Sequence, residues 1–142
     1  MPEFWEWLRH HGSLGTIKIP AAIYAEVEDG NDALAEWMAD SASKDALLFS
    51  EAPVTALVQA VSVLYGGDLS EEDIETIGKD PFLIAAALVD PNDRIVVTAE
   101  VSKPGRQGAN RHIPNICNDI GVQWRNPVEF LNELNFSTGW AD

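Results

Sequence analysis

Three acidic residues near the ends of predicted strands and helices are the candidates for chemistry in this 142-residue chain. Glu26 lies in a predicted helix that follows the strand TIKIP, Asp80 precedes the uncharged run PFLIAAAL, and Glu100 ends RIVVTAE. Converging carboxylates repel one another unless a cation binds between them. The set therefore favours a hard divalent ion, Mg²⁺ or Mn²⁺, which can activate a water and stabilise a phosphoryl transition state.

Each of these residues also has a purely structural explanation. Aspartate is a favoured N-cap and proline a favoured first helical residue, so Asp80 and Pro81 predict the start of a helix with Asp80 as its cap. Glu26 alone would be a solvated helix residue, and Glu100 alone a strand-end residue that enters a loop. A capping aspartate at the carboxyl edge of a sheet can still offer an oxygen to a metal, so the two interpretations of Asp80 are compatible.

A basic cluster follows Glu100 directly and consists of Lys103, Arg106, Arg111 and His112. If an RNA strand reaches the carboxylates, these side chains could neutralise its phosphates. The alternative is an exposed loop with ordinary charges, because basic residues are commonplace in loops.

Hydrophobic periodicity and turn signals predict strands that alternate with helices. The predicted strands are TIKIP, RIVVTAE and VQWRN, and LLFSEA is either a brief strand or a helix start. The predicted helices are PEFWEWLRHHG, AAIYAEVE, DALAEWMADSA, VTALVQAVSVLYG, one opened by a Ser70–Asp73 capping box, DPFLIAAALVD, IPNICNDIG and PVEFLNEL. RIVVTAE has three consecutive β-branched apolar residues, which is typical of a strand covered on both faces.

This order of elements predicts a single three-layer α/β/α domain over residues 1–142, with a short and mostly parallel sheet. In such sheets ligands bind beyond the carboxyl ends of the strands. Glu26 and Glu100 both follow predicted strands. We therefore expect them, together with Asp80, at the carboxyl edge of one parallel sheet, and this is the reason to group the three.

Composition and charge limit the function further. Nine Lys and Arg against 23 Asp and Glu give a net charge of −14, which repels nucleic acid at long range. It suits a basic protein partner, divalent metals or solubility alone. No apolar run is long enough to cross a bilayer, and with the single Cys117 the sequence predicts a cytoplasmic protein without a disulfide. Phosphate-binding glycine loops and Ser or Cys nucleophile motifs are absent from the sequence, which excludes those enzyme classes.

Four segments in this order resemble a PIN-like domain, the nuclease fold of many type II toxin–antitoxin toxins. They are IKIPAAIYAEVEDG, KDPFLIAAAL, IVVTAE and IPNICNDIGVQWRNPVEFL, and the last resembles the end of an uncharacterised PIN-like branch. The resemblance implies a metal-dependent endoribonuclease with an RNA substrate and an antitoxin protein as partner. It also implies that Glu26, Asp80 and Glu100 are catalytic and hold Mg²⁺ or Mn²⁺, with Glu100 in place of the more usual aspartate.

The sequence departs from that family at one place. PIN domains normally open with a hydrophobic strand that carries an aspartate and lies mid-sheet, and this sequence contains no such segment. The expectation is a sheet without its first central strand, whose exposed edges favour a homodimer. Two alternatives follow: a catalytically degenerate PIN-like module that binds a protein and regulates it, or a different metal-dependent phosphatase or nuclease on a similar sheet.

Overall fold

A computed structural model describes residues 2–141 of the chain. The chain packs into two compact units: the first runs up to Glu51 and resumes at Leu131, and the second is Ala52–Phe130. Helices and parallel strand pairs occur in both sequence regions, so the predicted α/β class is confirmed. Within residues 2–141 no helix has the length and apolar character needed to cross a membrane.

The first unit contains helices and one parallel strand pair. Its elements are α1 (Pro2–Ser13), β1 (Ile19–Pro20), α2 (Ala21–Glu28), α3 (Ala33–Ala39), α4 (Ser41–Leu47) and β2 (Leu48–Phe49). β1 pairs with β2 in parallel. The predicted helix DALAEWMADSA is divided because Asp40 has an extended backbone and its side chain accepts a hydrogen bond from the Ala42 amide, 2.9 Å away. Asp32 caps α3 by accepting from the Ala35 amide.

The core of the first unit contains Tyr24, Met38, Ala46 and Leu47. The Tyr24 hydroxyl is buried and donates to the Met38 carbonyl at 2.5 Å, which ties α2 to α3. Gly12 brings α1 close to α4, since a Cβ at this position would lie 2.7 Å from both the Ala46 carbonyl oxygen and Leu47 Cδ2.

The second unit carries a second parallel strand pair. Its elements are α5 (Thr55–Val63), α6 (Glu71–Ile77), α7 (Asp80–Leu88), β3 (Ile95–Val97), a 3-10 turn (Gly108–Asn110), α8 (Ile113–Ile120) and β4 (Gln123–Arg125), and α9 (Pro127–Glu133) follows. The predicted capping box of α6 is confirmed, with Ser70 Oγ and the Asp73 carboxylate each accepting a backbone N–H at 3.1 Å. β3 and β4 pair in parallel with Val96 opposite Trp124.

The strand β3 buries only one of its faces. Val96 is 2% exposed and packs in the core, whereas Ile95 and Val97 are 41% and 37% exposed. The prediction that RIVVTAE is covered on both faces is therefore wrong. Successive side chains of a strand point to opposite faces, and β3 packs against α7 through the face that holds Val96.

The prediction that Asp80 caps α7 is also wrong, by one residue. α7 begins at Asp80 itself, and Lys79 occupies the cap position. The backbone explains the shift: Gly78 ends α6 with a φ of 60°, and the Lys79 carbonyl already accepts the first helical bond, from the Phe82 amide at 2.9 Å. Asp80 is thus an acidic residue in the first turn of a helix, where the helix dipole favours negative charge.

The close approach at Gly12 gives a test of the packing of the first unit. Gly12→Ala should lower the free energy of unfolding by about 1–3 kcal/mol, because the added methyl group overlaps the α4 backbone. Helix propensity alone predicts a gain of about 1 kcal/mol for the same change, so the sign decides between the two effects. Urea unfolding of the two proteins measures the difference.

Gly67→Ala is the matched control, because no heavy atom lies within 4 Å of a Cβ at that position. Its unfolding free energy should stay within about 0.5 kcal/mol of the parent value. A Gly12→Ala protein as stable as the parent would contradict the close contact between α1 and α4.

Candidate functional site

Two of the three predicted acidic residues lie in the second unit, at the ends of adjoining elements. Asp80 is the first residue of α7, and Glu100 lies three residues beyond the end of β3. Both are half-buried. α7 carries no other charged residue, because the rest of it packs into the core through Ile84, Ala85 and Ala87. The position of Asp80 is therefore set by an apolar helix that excludes charge from its remaining length.

Glu100 is held by the first turn of α8. Its Oε1 accepts a hydrogen bond from the Ile113 amide at 2.8 Å, and its own amide donates to Thr98 Oγ1 at 3.1 Å. An amide at a helix N-terminus has no partner inside its own helix, so a carboxylate is a favourable acceptor there. A carboxylate has two oxygens and about four acceptor positions. Glu100 is therefore fixed in place by one oxygen and can still accept further bonds.

Tyr65 is a buried phenol that the charges of both carboxylates affect. It follows the end of α5 and is 2% exposed, and its hydroxyl has no hydrogen-bond partner among the described residues. Burial, followed by the negative charges of Asp80 and Glu100, raises the pKa of Tyr65 well above its usual range, while Arg111 acts in the opposite direction. Both carboxylates therefore lie within electrostatic reach of one buried phenol.

The loop between Glu100 and α8 is tied down by Asn115, a buried polar residue. Asn115 Oδ1 accepts from the Lys103 amide at 2.9 Å, and Asn115 Nδ2 donates to Ser102 Oγ at 3.1 Å. His112 Nδ1 donates to the Val101 carbonyl at 2.9 Å. The loop backbone beside Glu100 is therefore fixed to the same helix turn that binds Glu100.

The four predicted phosphate-binding residues have different surroundings. Arg111 donates to the Leu64 carbonyl at 3.0 Å and forms an ion pair with Asp119, so its guanidinium is already engaged. His112 is bonded to the loop backbone, as described above. The side chains of Lys103 and Arg106 are exposed on the loop. Of the four predicted phosphate-binding residues, only Lys103 and Arg106 have the exposed side chains that contact with a phosphate requires.

Glu26, the remaining predicted acidic residue, lies on α2 in the first unit and is exposed. It follows β1, which pairs with β2, whereas Glu100 follows β3, which pairs with β4. The expectation that both residues follow strands of one sheet is not met. Within residues 2–141, no three or more His, Cys, Asp or Glu side chains are grouped so that they could hold a metal ion.

The chemistry of two side chains in the second unit bears on a divalent cation. Asp80 and Glu100 have acceptor oxygens of the hard kind that Mg²⁺ and Mn²⁺ prefer. Mg²⁺ is commonly bound through only one or two carboxylates and keeps several waters. The Tyr65 hydroxyl, also in the second unit, is buried and has no hydrogen-bond partner among the described residues.

Sequence reasoning missed Tyr65 and Asn115. Tyr65 falls in the apolar stretch VSVLYGG, where an aromatic residue before two glycines is typical of a helix end. Asn115 lies in the predicted helix IPNICNDIG, and its spacing gives no sign that its side chain turns back to the preceding loop. Long-range contacts of this kind are not visible in local patterns.

A hollow of about 350 Å³ lies elsewhere in the second unit, between the end of α8 and β4. Its lining includes Cys117, Trp124 and Arg125. Cys117 is fully buried, and burial raises the pKa of its thiol to about 12, so the thiol is not a reactive nucleophile. The hollow is open and shallow, and the chemistry-bearing carboxylates are not part of its lining.

Comparison with protein families identifies one that spans both units. The model of the family described as Domain of unknown function (DUF4411) matches residues 1–138. The chain belongs to this family. No curated protein and no solved structure gives a significant match to the chain.

The unpartnered hydroxyl gives a test of the site geometry. Tyr65→Phe should leave the free energy of unfolding of the metal-free chain unchanged or raise it by about 1 kcal/mol, because the change removes a buried polar group without a partner. Tyr24→Phe is the matched control and should lower it by about 1 kcal/mol, since the Tyr24 hydroxyl has a partner in the Met38 carbonyl. Urea unfolding in the presence of a chelator compares them. Equal destabilisation by both changes would show that the Tyr65 hydroxyl has a partner inside the protein.

Proposed function

We propose that this protein is a PIN-like, Mg²⁺- or Mn²⁺-dependent endoribonuclease, and the toxin of a toxin–antitoxin pair. The proposal includes the α/β/α arrangement of that fold and an RNA substrate. One observation carries it: Asp80 at the start of α7 and Glu100 after the end of β3 lie at the ends of two contacting elements of the second unit, and the Ile113 amide fixes Glu100.

The roles of the residues follow from their contacts. Asp80 and Glu100 would bind the ion through carboxylate oxygens, with Glu100 oriented by the Ile113 amide. A bound divalent ion supplies a water activated for attack on phosphorus and neutralises charge that develops on the phosphate. Lys103 and Arg106, exposed on a loop whose backbone is fixed beside Glu100, would contact the RNA phosphates.

The overall charge supports a protein inhibitor. A net charge of −14 weakens the attraction of free RNA and favours a basic partner. A basic segment of an antitoxin that covers the carboxylates would neutralise them in the same way as a cation. Such a partner would hold the nuclease inactive and compete with the metal ion.

Titration with Mn²⁺ by calorimetry tests the metal site. The parent chain should bind Mn²⁺, and Asp80→Asn and Glu100→Gln should each weaken binding by at least about tenfold, because each replaces an anionic ligand with a neutral one. Glu75→Gln is the control, since Glu75 is an exposed acidic residue of α6 in the same unit. Unchanged affinity in Asp80→Asn and Glu100→Gln would place the bound ion elsewhere.

Cleavage of a labelled single-stranded RNA tests the activity. The parent chain should cleave it with Mn²⁺ or Mg²⁺ and lose activity in a chelator, and Asp80→Asn should lower the rate by about a hundredfold or more. Glu75→Gln should cleave at the parent rate. Cleavage that persists in Asp80→Asn would point to a contaminating nuclease and would contradict the proposal.

A second candidate function is that of a degenerate PIN-like module that binds a protein. The open face of β3 favours it, because Ile95 and Val97 remain substantially exposed on one side of the strand pair. Exposed apolar surface on a sheet is what a protein partner covers. A chain that binds no Mn²⁺ and cleaves no RNA, yet binds an antitoxin-like protein through this face, would favour the module over the nuclease.

A further inference from the structure

The strand β3 has main-chain groups that its pairing with β4 does not use. The Thr98 amide continues the pairing beyond the strand and donates to the Arg125 carbonyl at 3.0 Å. Main-chain groups of alternate residues point to the same edge of a strand, so Val96 and Thr98 face β4. The N–H and C=O groups of Ile95 and Val97 therefore point to the outer edge of β3, the edge away from β4. Among the described residues, no second strand pairs with β3.

The side chains of the same two residues are apolar and exposed. Ile95 and Val97 are 41% and 37% exposed, and Val101 in the loop that follows is 59% exposed. Native proteins commonly protect a strand edge with Lys or Pro, and β3 contains neither. An extended peptide can add to such an edge as a further strand, with affinity from main-chain hydrogen bonds and specificity from alternate side chains.

The charges around β3 indicate which occupant suits its outer edge. Asp90 and Asp93 are exposed in the turn that leads into β3, and Glu100 follows its end. The cations beside the strand pair are engaged, because Arg94 and Arg125 each donate to a main-chain carbonyl of the second unit. A second copy of the chain would bring a net charge of −14 against the same charge, whereas a basic segment would be attracted.

We infer that the outer edge of β3 binds an extended, basic segment of a partner protein, which adds to the strand pair as a third strand. The segment pairs with the main-chain groups of Ile95 and Val97 and covers their side chains with its own alternate apolar residues. Lys or Arg residues at its ends face Asp90, Asp93 and Glu100. The inference shares with the second candidate function the existence of a protein partner, and it does not depend on the metal site.

Binding of synthetic peptides to the full chain, measured by calorimetry, tests the inference. The probe is the acetylated and amidated peptide KVTVTVK, which alternates apolar and polar residues between basic ends. The same peptide with every inner amide N-methylated keeps its side chains and charge but cannot donate main-chain hydrogen bonds, so it should bind at least about tenfold more weakly. Replacing both lysines with glutamate should weaken binding by about the same factor at low salt.

Variants of the protein locate the peptide on the chain. Val97→Lys should weaken binding of KVTVTVK by at least about tenfold, because it places a cation on the edge that receives a basic strand. Val63→Lys is the matched control: it changes the net charge equally, at a valine of α5 that is 63% exposed, and should bind as the parent does. Val97→Pro removes only an outward N–H and keeps the pairing with β4, so it should also weaken binding.

The outcomes distinguish this inference from its rivals and from the proposed function. No binding of KVTVTVK, equal binding of its N-methylated form, or equal affinity in Val97→Lys and Val63→Lys would each overturn it. Sedimentation equilibrium tests the other occupant: a dimer that dissociates in Val97→Lys would show a second copy at this edge and would also overturn it. Peptide binding by a chain that binds no Mn²⁺ would support this inference while the nuclease fails, and the reverse result would leave the nuclease standing.

Discussion

The hydrogen bond between the Ile113 amide and Glu100 Oε1 determines the arrangement of polar groups in the second unit. It joins the segment after β3 to the first turn of α8. Two residues further on, Asn115 binds the Lys103 amide and Ser102 from the same helix turn. One turn of helix thus fixes a carboxylate and the loop that follows it. Without that turn, neither Glu100 nor the exposed Lys103 would have a defined position.

Apolar helices must be buried and charged groups must not, and this explains why Asp80 and the Tyr65 hydroxyl lie at helix ends. α7 and the end of α5 are apolar and pack into the core, so charge can be placed only at their ends. Asp80 occupies such an end. Tyr65 lies just beyond the end of α5. Its aromatic ring packs in the core, and its hydroxyl is the polar group at that end. The candidate site is therefore a product of core packing as much as of electrostatics.

Much of the fold could be predicted from local patterns, because those patterns act locally. The capping box at Ser70 and Asp73 and the helix PVEFLNEL depend on neighbouring residues and were confirmed. The coverage of β3 could not be predicted, because it depends on which elements pack on each face. The cap of α7 was misplaced by one residue because the chain enters the helix from Gly78, whose φ of 60° no composition rule specifies.

In the candidate site, too, some residues could be predicted from local sequence and others depend on contacts distant in sequence. Asp80 and Glu100 could be found from sequence because acidic residues near the ends of elements stand out in an apolar context. Tyr65 could not, because its significance lies in a missing hydrogen bond. The exposure of Lys103 and Arg106, against the engagement of Arg111 with Leu64 and Asp119, also depends on contacts distant in sequence.

The parallel pairing of β3 and β4 has a consequence for the order in which the chain folds. Parallel neighbours cannot be joined by a tight turn, so the segment that includes α8 must close back before the two strands can meet. Such non-local pairing forms late, because the entropy of loop closure is lost before the contacts form. Since Glu100 is positioned by α8, its carboxylate is fixed only at that stage. A nascent chain that has emerged only as far as Glu100 already contains Tyr65 and Asp80 but has no assembled site, so any activity of this site would be withheld until synthesis has passed α8.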